Sequence, residues 1–165
     1  MEKYCVECGT KLIEKELENE EMIPYCENCK QYRFPMFNVA VSLIVIDERK
    51  DKILLIKQYG RDHYILVAGY VTKGECVEDT VRRELKEETG MEVHSMVFNQ
   101  TQYFAPSNTL MCNFTVFVKD GSTIHVNHEI DSYSWFSKEE AKEQIKKNSL
   151  ASYFLHAYLN KKGIE

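Results

Sequence analysis

No run of about 18 apolar residues occurs in this sequence, so a bilayer-spanning helix has no candidate segment. The opening residues, MEKYCVECGT, are charged and carry cysteine where an export signal would be apolar. The expectation is a chain with neither membrane span nor secretion signal, placed in the cytoplasm. Positive charge is also in short supply. With 21 Lys and Arg against 26 Asp and Glu, the formal charge is −5, and the molecule as a whole does not steer polyanions toward itself. A phosphate-bearing substrate has to be met locally, most economically through a divalent cation. Internal repeats and low-complexity segments are lacking too, which leaves an ordinary globular chain. Its 165 residues, 44% hydrophobic, suffice for one domain plus at most a small extra module.

Cysteine, by contrast, is plentiful and patterned. Cys5, Cys8, Cys26 and Cys29 form two C-x-x-C pairs separated by seventeen residues, the spacing at which two tight knuckles complete a tetrahedral thiolate shell around zinc. All four ligands being cysteine leaves no open coordination position, so the expected metal is structural. A redox role fits less well, because neither pair sits between a strand and a helix. Between the pairs stand Glu14, Glu16, Glu18, Glu20 and Glu21 against Lys11 and Lys15, which disfavours a nucleic-acid backbone at this module. Cys76 and Cys112 have no cysteine neighbour at ligand spacing and read as small hydrophobes. The expected organisation is a zinc ribbon over residues 1–35, joined near Pro35 to a larger domain over residues 36–165.

Along that larger domain, dense β-branched and apolar residues predict strands at 38–46, 53–59 and 64–69, the first two as a hairpin around a charged turn. The pattern then changes to helix over residues 77–89, with Val77, Val81 and Leu85 on the inward stripe and Gly90 as the stop. Further strands are predicted at 91–104, bent or bulged, and at 110–118, 122–126 and 132–136. Ser137 with Glu140 three residues on is a capping-box pattern for a helix to about residue 147. A terminal amphipathic helix follows, with Leu150, Phe154, Leu155 and Tyr158 inward.

Glu84, Glu87 and Glu88 crowd an arc of about 100° at the rim of the first helix's buried stripe. Like charges so placed cost a bare helix a few tenths of a kcal/mol per pair, about what an unpaired acidic face tolerates. A hard cation reverses the sign, because Mg2+ seeks oxygen ligands. Together with Gly69, Glu75, Arg83, Leu85, Gly90 and Met91 these glutamates fill every fixed position of a pattern that resembles the Nudix box. The resemblance implies an α/β fold, the Nudix α/β/α sandwich with a mixed sheet, and metal-assisted hydrolysis of a nucleoside diphosphate linked to another moiety. It implies Mg2+ or Mn2+ held by Glu84, Glu87, Glu88 and the Gly69 carbonyl, with Glu75 and Arg83 as a loop-to-helix ion pair. Glu129 lies where many members carry a further acid, and is the first candidate for base or extra ligand, with Glu87 second.

A four-cysteine ribbon directly before such a domain is similar to the arrangement in NAD(H) diphosphatases of the superfamily. Their Ser-Gln-Pro-Trp-Pro-Phe-Pro-x-Ser-Leu-Met signature is matched in part by TQYFAPSNTLM, residues 101–111. Gln102, Tyr103 and Phe104 are thereby the candidate substrate contacts. Tyr103, Ala105 and Ser107 stand where that signature has proline, so ADP-ribose or dinucleotide polyphosphates remain alternative substrates, and a non-catalytic Nudix sensor an alternative role. The same resemblance implies a homodimer. NAD-capped RNA stays open as a substrate, although no basic track is evident.

Overall fold

The computed structural model describes residues 3–162, and the chain divides into two compact units, Met1–Phe37 and Asn38–Glu165. In the first, β1 (Ile13–Glu16), β2 (Met22–Cys26) and β3 (Gln31–Tyr32) form a small antiparallel sheet in that order. So few residues cannot bury a real core. What packs instead is an edge-to-face pair, Tyr25 and Tyr32, with ring centroids 4.9 Å apart, and the Lys15 ammonium 4.1 Å over the Tyr25 ring.

The second unit is built on β4 (Asn38–Asp47), which is buried on both faces from Ala40 onward. It pairs in parallel with β8 (Thr109–Val118) over ten residues, and β8 pairs antiparallel with β7 (Ser95–Phe104). On its other side β4 pairs antiparallel with β6 (Val67–Tyr70) along one half and meets β5 (Lys52–Gln58) only at Ile46 and Asp47; β5 carries β9 (Ile130–Phe136). Alternation along β4 divides the core in two. Val41, Leu43 and Val45 join Leu54, Ile56 and Phe114 beneath α1 (Val77–Thr89), while Ile44 and Ile46 join Ile53 and Leu55 beneath α2 (Lys138–Gln144) and α3 (Leu150–Lys162). The result is the α/β sandwich with a mixed sheet that the sequence implied. No helix among the described residues is long and apolar enough to cross a membrane.

Helix α1 occupies the span predicted for it. Glu78 and Asp79 face the positive end of its dipole, Val81 and Leu85 are fully buried, and Gly90 closes it at φ 68° with its N–H on the Lys86 carbonyl. Burying each of those two side chains contributes about 1.5–3 kcal/mol, which anchors the acidic rim beside them. Ser137 and Glu140 make the expected reciprocal capping box on α2.

Three expectations are corrected. Residues 122–126 are not a strand: Asp120 Oδ1 accepts the Ser122 N–H and hydroxyl, winding residues Gly121–Thr123 into a 3-10 turn. The backbone beyond that turn donates to the end of α1 instead of to a sheet, His125 N to Thr89 O at 2.8 Å and Asn127 N to Glu88 O at 3.1 Å. Helix α2 stops at Gln144 because Ile145 turns extended and the Lys146 N–H goes to Tyr64 O. Strand β5 stops at Gln58, since Tyr59 has φ 55°, outside the extended region.

Candidate functional site

The Nudix-type residues meet where the end of β6 passes under α1. Gly69 is needed there for room: a Cβ on it would fall 1.9 Å from the carboxylate carbon of Glu84. Backbone and carboxylate are thus in direct apposition. Burial grades the three helix acids. Glu88 is 4% exposed, Glu84 is half-buried and Glu87 is open to solvent. Burial first, then the charge of Glu84, push the Glu88 carboxyl up to about 8, with the Gln58 amide at 3.3 Å partly opposing them. Burial likewise raises Glu84, against the pull of Arg83.

Arg83 supplies the positive charge of this cluster. Its fork takes Glu75 bidentately at 2.8 and 2.9 Å, and it donates to Glu84 at 2.7 Å, to Glu87 at 3.1 Å and to the Tyr70 carbonyl at 3.0 Å. The guanidinium, aided by the Thr72 N–H and hydroxyl, holds Glu75 far below the usual carboxylate range. Glu84 and Glu87 therefore share one arginine with Glu75, while Glu88 does not bond to it. The carboxylates are the oxygen-ligand type that a hard divalent ion takes, and such a charge would stabilise the ionised form of Glu88, but their oxygens are not gathered within one metal's reach as the cysteine sulfurs of the first unit are.

Glu129, in the turn before β9, adds its negative charge to the burial that raises Glu84 and Glu88. Two residues with no sequence signature join it. Gln58 extends the inward row of Leu54 and Ile56 to reach Glu88, and Tyr59 donates its hydroxyl to Glu129 Oε2 at 2.9 Å. Hydrogen bonding to Glu129 keeps that phenol protonated, its pKa raised. A polar residue ending an apolar strand with inward parity was the one available hint of Gln58.

The substrate-contact candidates lie elsewhere on the same sheet. Gly69, Val41, Cys112 and Thr101 stand in one row across four strands, so three strand spacings put Thr101 roughly 14 Å from Gly69. Gln102, Tyr103 and Phe104 follow on edge strand β7. Alternation turns Tyr103 to one face and Gln102 and Phe104 to the other, and the Tyr103 hydroxyl donates to Asn108 at 2.6 Å. They are not gathered into one pocket with the glutamates.

In the first unit the four cysteine sulfurs lie within 4.8 Å of one another, with Cys5 to Cys29 at 3.9 Å and Cys8 to Cys26 at 3.5 Å. Among the described residues this is the one group of three or more such side chains close enough to share a metal. Bonding to Thr10 pulls Cys8 down to about 5, while Cys8 and burial push Cys29 up to about 12, as expected of crowded thiols that cannot all ionise without a cation. Arg33 Nε donates to Cys5 Sγ at 3.3 Å and ties back to Glu7 at 2.6 Å, and Cys29 N donates to Cys26 Sγ at 3.3 Å. The cluster could hold a structural, zinc-like metal. All six cysteines are free thiols.

Residues 36–158 match the family profile described as the NUDIX domain. Among curated proteins, the NAD-capped RNA hydrolase NudC of Pseudomonas aeruginosa is 28% identical over 163 residues, covering 98% of this chain and 57% of that protein. Nudix hydrolase 19, chloroplastic, of Arabidopsis thaliana is 33% identical over 153 residues, covering 87% of this chain and 34% of that protein. The chain thus spans between a third and somewhat over half of the length of these relatives. A NUDIX hydrolase from Nitrosomonas europaea superposes with TM-score 0.65 at 20% identity, covering 99% of this chain and 93% of that one. The NUDIX domain of Shewanella oneidensis NrtR, complexed with ADP ribose, superposes with TM-score 0.65 at 14% identity, covering 84% and 94%. At these identities the two superpositions bear on the fold.

Proposed function

The chain belongs to the Nudix family, and from that premise we propose that it is a divalent-metal-dependent hydrolase of the pyrophosphate bond in nucleoside diphosphate derivatives, with NAD(H) cleaved to AMP and NMN(H). The observation that supports this reading is the placing of Glu84 against Gly69 with the buried Glu88 one helical turn on, both feeling the charge of Glu129, so that a cation would relieve the crowding of negative charge.

Glu84, Glu87, Glu88 and the Gly69 carbonyl would hold Mg2+ or Mn2+, which supplies charge neutralisation at the phosphate oxygens and a more acidic bound water. Arg83, bonded to Glu75 and to the Tyr70 carbonyl, keeps the segment after β6 locked to α1. Glu129, with Oε2 already taken by Tyr59, receives the water proton on Oε1, and Glu87 is the second choice for that role. The water oxygen bonds to one phosphorus as the bridging phosphorus–oxygen bond breaks, the leaving phosphate keeping the electron pair. Residues 1–35 form a zinc ribbon, with Zn2+ on Cys5, Cys8, Cys26 and Cys29, and residues 36–165 the hydrolase domain. The roughly 14 Å between Gly69 and the start of the Gln102–Phe104 segment suits an extended dinucleotide, one end at the carboxylates and a ring toward Tyr103 or Phe104. A homodimer in the reducing cytoplasm completes the reading.

The test incubates wild-type protein and Glu87→Gln with NADH, NAD, ADP-ribose, diadenosine polyphosphates and NAD-capped RNA in Mg2+ or Mn2+. AMP and reduced nicotinamide mononucleotide from NADH, abolished in the variant, are the expected products. Turnover of ADP-ribose or dinucleotide polyphosphates alone moves the assignment to those substrates, and no turnover of any compound leaves a nucleotide sensor.

A further inference from the structure

Tyr59 is 66% exposed, yet it is not a loosely placed surface residue. It adopts φ 55° and is followed by Gly60 at φ 67°, a left-handed pair that is uncommon for an aromatic side chain. Had β5 continued, alternation would have sent Tyr59 to the face opposite Gln58 and away from the acids. The turn aims it instead at Glu129, seventy residues on, with Oη to Oε2 at 2.9 Å.

The partner segment is irregular at the same level. Lys57 pairs with Ser132 but Gln58 with Ile130, so Asp131 is an extra residue of β9. Its carboxylate accepts the Gly60 N–H at 2.6 Å. The turn after β5 is therefore held by two hydrogen bonds, one from the Tyr59 side chain to Glu129 just before β9 and one from the next backbone N–H to Asp131 at the start of β9. Glu129 is further constrained by its own N–H, which donates to Asn127 Oδ1 at 3.0 Å, while the Asn127 N–H is bound to the end of α1.

Resting on the hydrolase reading above, we propose that Tyr59 is a positioning residue: its hydroxyl holds one oxygen of Glu129 so that the other faces Glu84 and Glu88, ready for a cation or for a proton. It acts through Glu129 and does not need to touch substrate. Partners of this kind, which orient a ligating carboxylate, typically change metal affinity or activity by about 10- to 100-fold when removed.

The experiment titrates Mn2+ by electron paramagnetic resonance, and follows NADH hydrolysis, for wild type, Tyr59→Phe, Glu129→Gln and the double variant. Tyr59→Phe is expected to weaken Mn2+ binding or lower kcat about 10-fold, with nucleotide KM and melting temperature unchanged. In the Glu129→Gln background it should have no further effect. Tyr59→Phe that matches wild type in both readouts overturns the proposal, as does an equal loss in both backgrounds. A rise in nucleotide KM alone also overturns it, since that would mark a stacking ring. Wild-type protein that neither binds Mn2+ nor hydrolyses any nucleotide removes the hydrolase reading itself; wild-type activity matched by Tyr59→Phe removes only this inference.

Discussion

Gly69 and Glu84 touch without a side chain between them: the space a Cβ would take on the glycine already holds the Glu84 carboxylate, whose oxygens lie 2.1 and 2.3 Å from that position. The contact separates catalysis from folding. Gly69→Ala has to displace the mobile end of Glu84, not the backbone, so its effect on stability should stay within about 1 kcal/mol. Displacing a ligating group by an ångström costs about 100-fold in rate. Comparison of melting temperature with kcat for this one variant checks the prediction; a large loss of stability with normal kcat contradicts it.

Arg83 links the ends of the box, and its replacement should be felt by several carboxylates at once. Arg83→Ala leaves Glu75, Glu84 and Glu87 without their shared cation, and an activity loss of about 10- to 100-fold is expected. Arg83→Lys should not restore it, because a point charge cannot reproduce the bidentate hold on Glu75. The linked pH effect has a definite sign. The folded state depresses the Glu75 pKa, so its stabilisation is present above the ordinary value of 4.5 and is lost as pH falls through the folded-state value. Acid unfolding of Glu75→Gln, compared with wild type, should show less loss of stability below pH about 4.

Glu88 works in the opposite direction. Its carboxyl is raised from 4.5 to about 8, so without divalent metal its contribution is fully present below pH 4.5 and is lost as pH rises through about 8. Zinc-loaded protein without added Mg2+ or Mn2+ should lose a few kcal/mol of stability across that window. Glu88→Gln should flatten the profile, and Mn2+ should stabilise wild type most at the alkaline end. Denaturant titrations at pH 5, 6.5 and 8 provide the measurement.

The thiol cluster predicts about one zinc per chain by elemental analysis. Cys26→Ser should abolish binding and unfold the first unit, because apparent zinc affinities of about 10–16 kcal/mol exceed what so small a sheet gains by packing. Arg33→Ala removes a donor to Cys5 Sγ and should speed zinc transfer to a chelator by about 10-fold. Zinc release at the wild-type rate would assign Arg33 to the surface ion pair with Glu7 alone.

Much of this was legible before any coordinates. The span of α1, its Val81 and Leu85 stripe, its Gly90 stop and the acids at its rim follow from local helical geometry, and the paired cysteines close knuckles within a few residues. The reading of residues 122–126 as a strand failed because composition cannot tell whether a backbone N–H will find a sheet edge or the open carbonyls of a helix end. His125 and Asn127 found the latter. Strand β7 was expected to be bulged and shows its register shift between Phe98 and Gln100, but nothing in its composition placed it at the edge of the sheet.

Sequence alone determined which groups carry charge and where the helix and the thiol pairs stand, because those properties depend on neighbours three or four positions away. Tertiary structure alone decided that Glu88 is buried, that Gln58 of β5 reaches it, and that Tyr59 meets Glu129, seventy residues away. Those contacts depend on strand order, on one extra residue at Asp131 and on a left-handed turn at Tyr59, and each of these is set by packing between segments that the linear order keeps far apart.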